Sequence, residues 1–123
     1  MPDGAGLAAM LAGRAGRSAQ IALPEFSDLS LLPAGKQPPN PQELLLAPAL
    51  GALLSELATE FGVIVFDSPP AGLYADAQSL AFRAGSALVL ARKDRTRFSD
   101  ANRTIRELSA TGAHIVGTAF NAF

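Results

Sequence analysis

Cysteine is absent from this chain of 123 residues, and histidine occurs once, as His114. Without cysteine the protein has no disulfide scaffold, no thiolate metal site and no cysteine nucleophile. A single histidine excludes sites that need two imidazoles, such as the H-E-x-x-H zinc motif. Neither cysteine nor glutamate stands close to His114, so we expect this residue to have a structural role.

An excess of positive charge and a long hydrophobic run are also missing. Ten lysines and arginines against eleven aspartates and glutamates give a net charge of −1, which excludes a strongly basic nucleic-acid interface. The longest apolar runs are far shorter than the ~20 residues that a transmembrane helix requires. Hydrophobic residues make up 49% of the chain, which is enough to form the core of one domain.

The first part of the chain carries weak structural signals. Residues 1–19 are rich in glycine and alanine, and we expect them to be poorly ordered apart from a short helix at 7–12. Short strands are predicted at 20–23 and 29–32, each followed by a proline.

A proline-rich loop, K-Q-P-P-N-P, precedes two predicted helices at 41–46 and 48–60. Asn40 and Glu43 stand three residues apart at the start of the first helix, which is the spacing of a capping box. A proline at the first position of a helix is favourable because that position needs no N–H donor. The sequence therefore predicts sharp helix starts in this segment.

From residue 62 onward, predicted strands and helices alternate. The strands are at 63–66, 87–91 and 115–120, and the helices are at 76–83 and 99–109. The first strand is a continuous apolar run without polar alternation, which is typical of a strand buried on both faces. The β-α-β-α-β order predicts an α/β fold with a mostly parallel sheet.

Three polar residues follow the predicted strands directly, namely Asp67, Arg92 and Asn121. In parallel α/β sheets, ligands bind outside the carboxyl ends of the strands, so these residues are candidates for a binding site. An apolar strand followed by aspartate has the geometry of a Walker B acid, which holds Mg²⁺ beside a nucleotide phosphate. Alternatively, Asp67 caps the turn formed by the following S-P-P.

A phosphate-binding loop is missing. Such a loop has the pattern G-x-x-x-x-G-K-[ST], whereas the only Gly-Lys pair here, Gly35-Lys36, is followed by Gln37. A G-x-G-x-x-G fingerprint is absent as well. No segment of this sequence is therefore expected to cradle a phosphate.

Several ordered motifs nevertheless resemble one known family. They are G-L at 6–7, L-A-G at 11–13, L-P-A-G at 32–35, P-P-N-P-Q-E-L-L at 38–45, V-I-V-F-D-S-P-P at 63–70, D-A at 76–77, L-V-L-A-R at 88–92 and G-T-A-F-N at 117–121. Each motif is weak alone, but the ordered set covers almost the whole chain. It resembles the bacterial tyrosine autokinases of capsular polysaccharide and exopolysaccharide biosynthesis.

This resemblance implies a P-loop NTPase fold of the MinD/ParA type, with three layers and a mostly parallel sheet. It also implies ATP-dependent tyrosine phosphorylation with Mg²⁺. Asp67 corresponds to the catalytic and metal-binding Walker B aspartate, and Asn121 to an asparagine that contacts adenine. Arg92, which also follows a predicted strand directly, is a further candidate for cofactor binding. The alternative for Asn121 is a turn-forming residue.

The departures from the family define what we expect of this chain alone. The Walker A loop, the aspartate-bearing Walker A′ motif and the C-terminal tyrosine cluster are missing, and the only tyrosine is Tyr74. We therefore interpret residues 1–123 as the C-terminal portion of a kinase-type P-loop domain that lacks its Walker A region. By itself it is expected neither to bind ATP tightly nor to phosphorylate a protein.

The resemblance also suggests partners and a location. We expect an oligomer, or a complex with a membrane co-polymerase of polysaccharide export, in the cytoplasm and associated with the inner membrane through that partner. Nucleic-acid binding and direct membrane insertion are not expected. Two alternatives remain. One is a non-catalytic module that docks on a complete kinase or on its membrane co-polymerase through the basic segment 92–106, and the other is a MinD/ParA-type partition ATPase. A solvated helix face is the favoured interpretation of that segment.

Overall fold

The computed structural model describes residues 5–71 and 75–122. They form two compact units, Met1–Glu60 and Phe61–Phe123, and each unit is described by itself. Within the described ranges, none of the helices combines the length and the apolar character that a membrane span needs.

The N-terminal unit contains three α-helices, one short 3-10 helix and a small hairpin. Its elements are α1 (Leu7–Leu11), the 3-10 helix (Arg17–Ala19), β1 (Ile21–Ala22), β2 (Ser30–Leu31), α2 (Pro41–Leu46) and α3 (Pro48–Leu57). Strands β1 and β2 pair in antiparallel register, with Ile21 opposite Leu31. The predicted helices and short strands of this half are confirmed, with small differences at their ends.

The two prolines act as predicted, but the capping box does not form. Pro41 and Pro48 each lie in the first turn of a helix. The Asn40 side chain makes no capping hydrogen bond, and its Nδ2 donates instead to Oε2 of Glu43 at 3.4 Å. The backbone of Asn40, at φ −125° and ψ 79°, departs from the extended conformation typical of an N-cap, which explains why the predicted box was wrong.

Helix α1 is attached to the loop before the proline-rich segment through backbone contacts. The N–H groups of Leu7 and Ala8 donate to the carbonyl oxygens of Pro33 and Ala34 at 2.8 and 3.0 Å. A Cβ atom at Gly6 would overlap the backbone of Gly35. Only glycine allows this close approach, so backbone packing requires a glycine at position 6.

An ion-pair cluster joins the 3-10 helix to the end of α3. Arg17 donates from Nη1 to Oε1 of Glu56 at 2.7 Å and from Nη2 to Oε2 of Glu60 at 2.8 Å. Hydrogen bonding to Arg17 lowers the pKa of Glu60, and the two carboxylates raise the pKa of Arg17.

The C-terminal unit is a parallel β-α-β arrangement preceded by a helix. Its elements are α4 (Asp76–Ala84), β3 (Ser86–Arg92), α5 (Phe98–Ala110) and β4 (His114–Asn121). Strands β3 and β4 pair in parallel, and their register is interrupted by a bulge between Ala87 and Leu88. The predicted α/β class with parallel strands is confirmed.

Both helices of this unit pack against the sheet and form its core. The buried residues are Ala77, Ala81, Val89, Leu108 and Ala113, with Ala87, Ile105 and Ile115 packed against them. Successive side chains of a strand point to opposite faces. Leu88 and Leu90 therefore lie on the face opposite Val89, and both are exposed.

The apolar segment 63–66 does not form the predicted buried strand. It belongs to no strand, and Val63 and Val65 are 78% and 84% exposed. A β-strand requires a neighbour that accepts and donates its backbone hydrogen bonds, and no strand in the described part of the chain pairs with this segment. The prediction was wrong because the apolar pattern of a segment does not determine whether another strand lies beside it.

Candidate functional site

Asp67 lines a cleft of about 780 Å³ in the C-terminal unit. It follows the apolar segment 63–66 directly and is exposed. The cleft walls come from residues 64–71, α4, β3 and α5, and they are mainly apolar. Its polar side chains are Asp67, Ser68, Ser86, Thr96, Asp100, Arg103 and Thr104.

Of the three charged side chains that line this cleft, two pair with each other. Arg103, the cation among the lining residues, donates from Nη2 to Oδ1 of Asp100 at 3.3 Å. This pair is half-exposed, so solvent screening makes it weak. Within residues 5–71 and 75–122, the Asp67 carboxylate makes no hydrogen bond and no ion pair, and no bond that caps the following turn.

Arg92 and Asn121 meet at the carboxyl edge of the sheet. They are register partners at the ends of β3 and β4, and the N–H of Lys93 donates to the carbonyl oxygen of Asn121 at 2.8 Å. Both side chains are exposed. Parallel pairing thus brings together two of the three predicted site residues.

Asp67 and this edge do not share a cavity. Neither Arg92 nor Asn121 lines the cleft that holds Asp67. Tyr74, the remaining residue singled out in this region, lies outside the described residues.

Thr96 lies between the cleft of Asp67 and the sheet edge at Arg92, and this role was not predicted from the sequence. It lines the cleft of Asp67, and its Oγ1 accepts from the N–H of Arg92 at 2.9 Å. Its own N–H donates to the carbonyl oxygen of Arg92 at 2.9 Å. The signal was a threonine just before a predicted helix, a position where a hydroxyl commonly bonds backbone groups.

A divalent cation fits this cleft only in part. Mg²⁺ commonly takes one or two carboxylates, with the remaining oxygens supplied by phosphates and water. Asp67 supplies one such carboxylate, and no group of three or more histidine, aspartate or glutamate residues suited to a metal occurs in the described ranges. Since Arg103 is paired with Asp100, the cleft also lacks an unpaired cation for phosphate among its described lining residues.

Comparisons with known proteins point to one family. No protein-family model matches the chain. The tyrosine-protein kinase wzc of Salmonella typhimurium is 29% identical over 118 residues, which cover 95% of this chain and 16% of wzc. The tyrosine-protein kinase CpsD of Streptococcus agalactiae is 26% identical over 116 residues, which cover 94% of this chain and 51% of CpsD.

A solved structure agrees with these relatives. The BceF tyrosine kinase domain is 30% identical and superposes with a TM-score of 0.86, over 97% of this chain and 49% of the BceF chain. The chain thus spans about one-sixth of wzc and about half of CpsD and of the BceF domain. The resemblance seen in the motifs is confirmed: the chain is related to the bacterial tyrosine-protein kinases, over a segment equivalent to about half of their kinase domain.

Proposed function

We propose that this chain forms part of an ATP-dependent bacterial tyrosine kinase that regulates capsular polysaccharide or exopolysaccharide biosynthesis and export. The observation that carries the proposal is Asp67, an exposed carboxylate without a partner in the described structure, which follows an apolar segment and lines a cleft. Relatives that are tyrosine-protein kinases support the same activity.

In this proposal Asp67 is the catalytic carboxylate that holds Mg²⁺. When bound, the metal would neutralise the charge that develops on the transferred phosphoryl group. Catalysis of phosphoryl transfer depends mainly on positioning and electrostatics. The contribution of Asp67 is therefore a fixed negative charge in a largely apolar cleft.

Arg92 and Asn121 would contact the nucleotide from the carboxyl edge of the sheet. An asparagine amide both donates and accepts hydrogen bonds, which suits the edge of an adenine ring. An arginine guanidinium suits phosphate oxygens. Their register pairing supports a shared role, because one ligand at this edge would reach both side chains.

The chain alone is proposed to be inactive. It contains no G-x-x-x-x-G-K-[ST] sequence, and Arg103 is engaged with Asp100. The phosphate-binding loop would have to come from sequence outside these 123 residues. Titration calorimetry of the chain with ATP and Mg²⁺ should show no tight binding, and low-micromolar affinity would contradict this part of the proposal.

We further propose that the kinase works as an oligomer, or with a membrane co-polymerase, in the cytoplasm beside the inner membrane. Nucleic acid is not a proposed ligand. No specific observation favours the non-catalytic module or the partition ATPase over the kinase.

The activity is tested by completing the domain. Fusing the chain to the preceding half of the BceF kinase domain should restore ATP-dependent phosphorylation of an added glutamate-tyrosine copolymer, which replaces the missing tyrosine cluster as acceptor and is measured with an antibody against phosphotyrosine. Asp67→Asn should lower the rate about 100-fold or more, as loss of a key electrostatic group does. The matched control Asp100→Asn removes the cleft carboxylate that is paired with Arg103 and should change the rate far less.

Two outcomes of the fusion experiment would overturn the assignment. Equal losses in the two variants would show that Asp67 has no special role. A folded fusion that shows no tyrosine phosphorylation, while the unmodified BceF domain is active in the same assay, would argue against the kinase itself.

A further inference from the structure

A cluster of positive charge begins at the last residue of β3 and continues through the loop before α5. We call residues 92–97, with the sequence R-K-D-R-T-R, the basic loop. Its four cations and one aspartate give a net charge of +3, and every residue in it is exposed. Because the whole chain carries −1, all other residues together carry −4. The basic loop is therefore opposite in net charge to the rest of the chain.

Backbone hydrogen bonds hold the basic loop in a defined shape. The N–H of Arg92 donates to Thr96 Oγ1, the N–H of Thr96 donates to the carbonyl oxygen of Arg92, and the N–H of Lys93 donates to Asn121. Asp94 has a φ of +59°, a left-handed conformation that aspartate tolerates better than most residues. The cations are thus presented from an ordered turn at the edge of the sheet.

Most of this charge is not compensated within the described structure. Asp100, the next acidic residue along the chain, is paired with Arg103 at 3.3 Å. The side chains of Lys93, Arg95 and Arg97 make no ion pair or hydrogen bond with any described residue. Three cations in five residues are therefore open to an external anion.

An exposed aromatic side chain adjoins these cations. Phe98, the first residue of α5, is 82% exposed. Phe98 and the cations Lys93, Arg95 and Arg97 lie outside the cleft that holds Asp67. This surface is therefore better suited to an extended anionic surface than to a small ligand that needs a pocket.

We propose that Lys93, Arg95 and Arg97 of the basic loop, together with Phe98, form a docking surface for an anionic lipid bilayer. Each Lys or Arg near such a surface strengthens binding by roughly fivefold, and the effect falls off within a Debye length. A phenylalanine beside cations enters the boundary between headgroups and acyl chains. The chain would lie on the membrane without spanning it, and this inference does not depend on the kinase activity.

Sedimentation of the full chain with lipid vesicles tests the docking surface. We expect binding to vesicles that contain phosphatidylglycerol, weaker binding as salt is raised, and little binding to phosphatidylcholine alone. Lys93→Gln combined with Arg95→Gln should lower the partition coefficient roughly 25-fold, and each single substitution roughly fivefold. Phe98→Ser should weaken binding with little change in its salt dependence.

The matched control removes two cations elsewhere. Arg14 and Lys36 lie in the N-terminal unit, are exposed and make no ion pair with a described residue, so Arg14→Gln with Lys36→Gln gives the same net charge. This control should bind anionic vesicles almost as well as the unmodified chain. Circular dichroism of each variant checks that its fold is retained.

Three results would overturn the proposal. Equal losses in the two double variants would show that net charge alone governs binding. Equal binding to the two kinds of vesicle would show a hydrophobic association without a role for the cations. Binding to polyglutamate but not to anionic vesicles would assign the surface to an acidic protein partner instead.

Discussion

Two apolar segments of the C-terminal unit have similar sequences and different structures. Residues 63–66 read V-I-V-F, and residues 88–91, within β3, read L-V-L-A. Strand β3 pairs with β4 over seven register positions, whereas 63–66 has no strand partner in the described structure. The difference shows that an apolar run indicates a preference for extended structure, and that a paired neighbour is needed to turn this preference into a strand.

The largest expected effect comes from placing a charge at the centre of each segment. Val89 is 6% exposed and Val65 is 84% exposed. Val89→Asp buries an unpaired carboxylate and should lower the free energy of unfolding by about 4 kcal/mol. Val65→Asp should change it by no more than about 0.5 kcal/mol. Urea denaturation of the chain measures both, and similar losses would mean that 63–66 is packed as β3 is.

A smaller effect is expected from removing side-chain volume. Leu108 belongs to the core beneath β3, while Leu90 is 70% exposed on the other face. Leu108→Ala should cost about 2–4 kcal/mol, because it leaves a cavity. Leu90→Ala should cost no more than about 0.5 kcal/mol. A large loss at Leu90 in the same denaturation assay would show that its face is covered in solution.

The glycines that precede the two segments differ in backbone conformation, so we expect alanine to be tolerated at only one of them. Gly85 ends α4 with a φ of +75°, and its carbonyl oxygen accepts from the N–H of His114 at 2.9 Å. Gly85→Ala should cost about 1 kcal/mol because the left-handed conformation strains an alanine. Gly62 has no positive φ, and a Cβ atom there meets open space. Thermal unfolding of Gly62→Ala should therefore match that of the unmodified chain, and a large shift would reveal contacts around 62.

The smallest effect concerns pH and lies in the N-terminal unit. Arg17 lowers the pKa of Glu60 below its ordinary value of 4.5. The contribution of this pair to stability is therefore present above that value and is lost as pH falls through the lowered pKa. The urea midpoint of the unmodified chain should fall as the solution is acidified. This fall should be smaller in Arg17→Gln and unchanged in the control Arg14→Gln. If the urea midpoint of Arg17→Gln depends on pH as that of the unmodified chain does, the Arg17–Glu60 pair does not contribute to acid sensitivity.

Part of the candidate site could be predicted from sequence because parallel strands share their carboxyl edge. The positions of Arg92 and Asn121 followed from the ends of two predicted strands, and the structure pairs them. The role of Thr96 and the Arg103–Asp100 pair depended on how the loop after β3 turns. The direct functions of Asp67, Arg92 and Asn121 stay predictions.

By itself, the amino-acid sequence determined where most helices start and end, which segments prefer extended structure and which family the chain resembles. These properties depend on local features, such as Pro41 and Pro48 in first helical turns or Gly85 after α4. Tertiary structure alone decided that β3 is paired and 63–66 is not, and which cations of the basic loop are without partners. The physical reason is that helical hydrogen bonds join residues four apart, whereas a strand and an ion pair depend on groups that are distant in the chain.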